Sequence, residues 1–182
     1  MTDIGISGLR SAGKSALNER FRSGWPPDPP LDGRTSGELI HLEIAPGVSQ
    51  LLGALLATRM PWKGKTFDAA SSRGDNIFTR GSLRLARLFS RGYRGFRGDG
   101  TTTYRAYAFR TCIAAGRQDT DREVLKIDYD LPENPRVTVR RVLDELVQVG
   151  DGTYLGKAHV KWWWGRWQRV AFFVLVDESK NS

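Results

Sequence analysis

An antiparallel β-barrel of about eight strands is the fold class this sequence predicts, and three observations carry it. Residues 122–176 divide into four strand-like stretches in succession: REVLKIDYD, DELVQV, GTYLGKAHVKWWW and RWQRVAFFVLV. They are joined by an LPENP stretch, a Gly150-Asp151-Gly152 turn and a Gly165-Arg166 turn, and strands joined by such short turns pair antiparallel. The upstream strand-like stretches also follow one another as hairpins, without the strand–helix alternation of a parallel sheet. Strands this long expose hydrogen-bonding edges unless the sheet closes on itself.

Taken in order, residues 7–22 predict a helix, with Leu9, Ala12, Ala16, Leu17 and Phe21 at helical spacing. It stops before Gly24-Trp25-Pro26-Pro27, where PPDPP reads as a stiff extended linker. Residues 36–44 alternate as a first strand, with Glu38, Ile40, Leu42 and Ile44 on one face and Leu39, His41 and Glu43 on the other. Pro46 opens a short helix with Val48, Leu51, Leu52, Leu55 and Leu56 on one stripe, the natural lid for one barrel mouth. Residues 64–70 and 75–80 predict a hairpin around SSRG, residues 82–90 a short basic helix, and residues 101–114 a long strand. The expected organisation is an N-terminal helix and Pro-rich linker over 1–30, a single barrel domain over 31–178 and a disordered tail over 179–182.

The 182 residues, 40% hydrophobic and 26% charged, suit one globular domain with a sizeable core. Nothing approaches ~20 uninterrupted apolar residues, so no membrane-spanning helix is expected. The N-terminus lacks a signal-peptide core, and the single cysteine, Cys112, excludes an internal disulfide framework. Both fit a reducing, cytoplasmic setting. Two histidines and one cysteine are too few for an all-protein zinc site without carboxylates, so no metal or cofactor is expected. The net charge of +8 favours an anionic partner, whether nucleic acid, an anionic membrane surface or an acidic ligand.

Several constellations bear on chemistry. Gly8, Gly13, Lys14 and Ser15 fill every fixed position of G-x-x-x-x-G-K-[ST], which in a strand–loop–helix setting cradles nucleotide phosphates and Mg²⁺. The stretch VLKIDYD offers an Asp after an apolar run, but within an antiparallel meander, and no DxxG or NKxD follows. The match therefore reads as a coincidence on an amphipathic helix, with a P-loop hydrolase as the enzyme alternative. Arg84, Arg87, Arg91, Arg94 and Arg97 interleave with Phe89, Tyr93 and Phe96, a pattern suited to phosphate and base contacts. The competing reading is an exposed loop whose aromatics tuck under the barrel. Asp128 and Asp130 share a strand face as paired carboxylates would, and the reading preferred for them is a solvated surface. Neither His41 nor His159 stands beside a nucleophile elbow, and no catalytic set is visible.

The ligand-site residues expected are Trp62, Phe67, Tyr104, Arg110, Tyr129 and Trp162. Tyr104, Ala106, Ala108 and Arg110 alternate onto one face, whose small residues leave volume and whose arginine suits a carboxylate. Leu125, Ile127 and Tyr129 share an interior with them, and Trp62, Phe67 and Trp162 supply aromatic walls. Alternatively Arg110 points outward and pairs with Asp128 or Glu123. Lys157, His159 and Lys161 alternate onto one face, which predicts a solvent-facing His159 and no specific haem site.

Gly33-Arg34-Thr35-Ser36-Gly37, PWKGKTF, the YRG at Tyr93 and VLKIDYDLPENP…ELVQVGDGTYLGKAH resemble the bacterial GXWXG-type proteins with their companion domain of unknown function, over most of residues 31–160. Thr35 stands where that family has Trp, and the spacing after Asp130 differs. The same segments look like a calycin-style barrel. The resemblance implies a small-molecule or lipid-binding barrel and carries over no catalytic residue. The reading that results is a barrel binding an apolar or amphipathic, acidic small molecule or lipid, for which an interior cavity of ~300 Å³ or more is expected. Nucleotide hydrolysis, or binding of nucleic acid or an anionic surface through residues 80–97, are the alternatives.

Overall fold

The computed structural model describes residues 6–43 and 61–180. Among the described residues there are nine strands: β1 (Gly33–Leu42), β2 (Trp62–Asp68), β3 (Arg73–Thr79), β4 (Arg97–Asp99), β5 (Thr103–Ala115), β6 (Glu123–Asp128), β7 (Val142–Gly150), β8 (Thr153–Lys161) and β9 (Trp167–Asp177). All pairings are antiparallel, in the order β3-β2-β1-β9-β8-β7-β6-β5. Pairing of β3 with β5 closes these eight strands into a barrel, and the three-residue β4 adds only to the flank of β5. Closure removes the exposed edges that the long strands would otherwise carry. The expected lid helix, with Ile44, lies outside the described residues.

Among the described residues the register shifts in five strand pairings, and three of these shifts, in β1, β2 and β5, decide which side chains enter the barrel. In β1 the register shifts between Leu39 and His41, so Leu39 and Leu42 both face the interior although sequence alternation separates them. In β2 the shift between Trp62 and Gly64 brings Trp62 and Lys65 inside together. Gly64 sits at φ +141°, and a Cβ there would meet the Thr35 carbonyl oxygen at 2.0 Å, so this bulge requires glycine. In β5 the register against β3 shifts between Gly74 and Asn76, and Tyr107 adopts φ 57°. Tyr104 and Ala106 face inward before the shift, and Phe109 faces inward after it.

The N-terminal segment forms two helices, α1 (Ile6–Ser11) and α2 (Lys14–Ser23), where the periodicity predicted one. The break falls at Ala12-Gly13. Both helices lie on the outer wall of the barrel. Leu9, Leu17 and Phe21 are buried against Val124, Val147, Leu155, Phe172 and Val174. Each such fully buried side chain contributes ~1.5–3 kcal/mol. The linker is tied down as well, since Trp25 exchanges backbone hydrogen bonds with Gln148. The barrel is thus covered on both faces here: β7, β8 and β9 are buried at nearly every position, including the charged or titratable Glu145, Lys157, His159 and Arg169. The short basic helix, α3, spans Leu83–Phe89, and Glu178–Lys180 form a 3₁₀ turn.

Candidate functional site

Inside the barrel lies a cavity of about 220 Å³, smaller than the ~300 Å³ expected of a drug-sized site. Its walls are almost entirely apolar, among them Leu39, Trp62, Phe78, Val142, Val160 and Phe173. Lys65, Asn76, Tyr107, Tyr129, Thr138 and Asp144 bring polar groups to it, and Lys65, Asn76, Tyr129 and Asp144 form one connected cluster.

Lys65 Nζ, on β2, donates to Asp144 Oδ2 on β7 at 2.9 Å, to Asn76 Oδ1 on β3 at 2.8 Å and to the Tyr129 hydroxyl just beyond β6. The Tyr129 hydroxyl in turn lies 3.0 Å from Asp144 Oδ2. Asn76 Oδ1 also accepts from the Trp62 indole N–H at 3.1 Å, and Asn76 Nδ2 donates to the Tyr107 carbonyl at 3.1 Å. The bulge at Tyr107 therefore orients the amide that helps hold the lysine. The ammonium is ringed by Trp62, Phe109, Tyr129 and Phe173 at 5.1–5.6 Å from the ring centroids. Burial pushes Lys65 below the usual lysine range, with Asp144 opposing it. Burial, then the Asp144 charge, pushes the Tyr129 hydroxyl well above its ordinary value. A buried charge persists only when paired and hydrogen-bonded, and this cluster meets both conditions.

Of the six expected ligand-site residues, Trp62 and Tyr129 line the cavity. Phe67 is core packing below it, tilted against Phe109. Tyr104 stacks on Phe78 in a separate cluster beneath α3. Trp162 caps the barrel rim, its N–H donating to Gln168 and its ring stacked on Trp164. Arg110 is on the outside and paired to Asp128 at 2.8 Å, because the Tyr107 bulge inverts the phase of β5 after Ala106. Lys65, Asn76 and Asp144 were not singled out by sequence. The available signal was a lysine sharing a strand face with Phe67, and an aspartate sharing one with Val142 and Leu146.

His159 corrects another expectation. It lies on the outer wall, with Lys157, yet is 1% exposed. Lys157 is buried against the Phe21 ring of α2 and donates to Asp119 at 2.6 Å, the carboxylate that its own strand lacks. Burial raises and the hydrogen bonds from Lys157 and Arg22 lower the Asp119 carboxyl, with a net lowering. Among the described residues neither ring nitrogen of His159 has a hydrogen-bond partner, and burial together with Lys157, Arg169 and Arg117 depresses it to about 4.

The G-x-x-x-x-G-K-S residues stand in a different setting from the one phosphate binding needs. Gly8 is within α1, Gly13 immediately precedes α2, Lys14 is held by Glu43 at 2.7 Å, and Ser15 contacts Glu19. Arg84, Arg91, Arg94 and Arg97 are exposed, and Arg87 lies over Phe96. Tyr93 and Phe96 pack against Tyr107, under the barrel end.

Fold and site together define a closed eight-stranded antiparallel barrel with an apolar cavity ending in a buried Lys–Asp–Tyr–Asn cluster. A crystal structure of a protein from Thermomonospora curvata shares the fold, with a TM-score of 0.57 at 18% identity over 95% of this chain and 93% of that one. No family model and no curated protein matches the sequence, which leaves the GXWXG resemblance resting on its motif residues alone. Among the described residues no helix is long and apolar enough to cross a membrane.

Proposed function

We propose that the barrel binds a compact small molecule, its apolar body in the cavity and a neutral hydroxyl or carbonyl head against the Lys65–Asp144–Tyr129–Asn76 cluster. The carrying observation is the conjunction of an almost wholly apolar cavity with one connected, buried polar cluster among its described lining residues. A cavity of ~150 Å³ accommodates benzene, so about 220 Å³ suits a substituted single ring or a short chain, not a long-chain lipid. An acidic ligand is disfavoured, because the Lys65 charge is already matched by Asp144 and Arg110 is outside. Titration of the protein with benzyl alcohol and with benzoate, followed by NMR, tests the reading. Saturable one-to-one binding of the alcohol, weaker for benzoate, supports it; no saturable shift of cavity residues with either sinks it.

A second reading concerns the mouth end. The strand directions place α3, the β8–β9 turn and the cavity residues Leu42, Trp62 and Val142 at one end of the barrel. The exposed Leu88, Phe89, Val137, Trp163 and Trp164 belong to that end, together with the exposed Arg84, Arg91, Arg94 and Arg166. Apolar tips within a basic field suit an anionic lipid surface. Binding to vesicles containing phosphatidylglycerol, lost on phosphatidylcholine alone and in Trp163→Ser/Trp164→Ser, would support it; equal binding to RNA would point to nucleic acid instead.

A further inference from the structure

We propose that Lys65 is a carbonyl-capturing amine, forming a Schiff base with a small aldehyde admitted to the barrel cavity. This rests on the ligand-binding reading of the same cavity and goes beyond it in assigning covalent chemistry.

Three features of the site meet what imine formation requires. The nucleophile is the neutral amine, and Lys65 is desolvated within four aromatic rings with a carboxylate 2.9 Å away to take its proton. The tetrahedral adduct needs a proton delivered to oxygen, and the Tyr129 hydroxyl bridges Lys65 and Asp144. The aldehyde needs room beside the amine, and Lys65, Tyr129 and Asp144 all line one cavity.

The step balances without any further reagent. Lys65 passes one ammonium proton to Asp144, and its lone pair forms the C–N bond as the carbonyl π pair moves onto oxygen. That oxygen takes a proton from Tyr129, which is resupplied by Asp144. The nitrogen then returns a proton to Asp144. This proton leaves with the carbinolamine hydroxyl as water, breaking the C–O bond while the nitrogen lone pair closes the C=N bond. In sum, ammonium and aldehyde become iminium and water. One positive charge faces Asp144 at the start and at the end, so no new charge is created in the low-dielectric interior.

Lys157 is the internal control. It too is buried and paired with a carboxylate, Asp119, but on the outer wall against Phe21 and away from the cavity. Burial and pairing without a cavity should give no adduct.

The test is treatment of the full chain with benzaldehyde and sodium cyanoborohydride at neutral pH, with sites read by peptide mass mapping. Lys65 should carry the reduced benzyl adduct ahead of the exposed Lys63 and Lys161 by ~10-fold or more, since the cavity holds the aldehyde against the amine. Lys157 should stay unmodified. Benzyl alcohol should protect Lys65 and leave Lys63 unaffected, a readout that needs no variant; Lys65→Arg, where it folds, should lose the adduct. Labelling confined to exposed lysines overturns the proposal. If benzyl alcohol still binds one-to-one in that case, only the covalent inference falls; if it does not bind, the ligand-binding reading falls as well.

Discussion

Lys65 and Asp144, 79 residues apart in the chain, meet inside the barrel with Nζ 2.9 Å from Oδ2, both side chains almost wholly shielded from water. Neither has another charged partner in the cluster, so each stabilises the other against a large desolvation penalty. Removing one partner of such a pair typically costs ~3–5 kcal/mol, whereas replacing both with apolar groups is often neutral or stabilising. Asp144→Ala is expected to lower the unfolding free energy by about that amount in urea titrations. The double variant Lys65→Met/Asp144→Leu should recover most of it. A double variant no more stable than Asp144→Ala would mean that the hydrogen bonds to Asn76 and Tyr129 alone sustain Lys65.

Ala158 faces the cavity from β8. Ala158→Leu would fill part of the space and should abolish benzyl alcohol binding, with a stability change below ~1.5 kcal/mol because the added methyl groups enter existing volume. Parallel NMR titration and thermal unfolding separate the two effects. Undiminished binding would place the ligand elsewhere.

The buried His159 makes stability depend on pH. An unfolded histidine titrates near 6.5, and the folded one near about 4. Between those values the unfolded chain binds the extra proton, so stability is fully present above pH 6.5 and falls as pH drops towards 4. The loss over that window is of order 3 kcal/mol. Glu145, pushed above its ordinary value by burial, works in the opposite sense over the low end of the range. Urea titrations at pH 7.5 and 5 should show the loss, and His159→Leu should flatten it. An unchanged pH slope in that variant would move the effect to another group.

Arg110 pairs with Asp128 on the outer surface, with more than half of its side chain in water. Exposed pairs of this kind are worth ~0–1 kcal/mol. Arg110→Ala should shift thermal stability by no more than that and leave ligand affinity unchanged. A marked fall in affinity would require the arginine to reach the cavity after all.

Some of this was fixed by local chemistry and could be read directly. Tight glycine turns at Gly150-Asp151-Gly152 and Gly165-Arg166 leave adjacent strands no option but antiparallel pairing, and long strands with apolar faces demand closure. The barrel followed from these, and the helical spacing of Leu9, Ala12, Ala16, Leu17 and Phe21 marked the N-terminal segment as helical. What alternation could not supply was strand phase beyond a bulge. One extra residue at Tyr107 sent Arg110 outward and Phe109 inward, and one at Ile40 put Leu39 and Leu42 on the same side. Nor could sequence show that α2 covers the outer wall, which turned the apparently solvated face of Lys157 and His159 into a buried one. The site itself is a tertiary product. Lys65, Asn76, Tyr129 and Asp144 come from four separate segments, and only barrel closure brings their charges and hydrogen bonds within reach of one another, where low dielectric makes each depend on the rest.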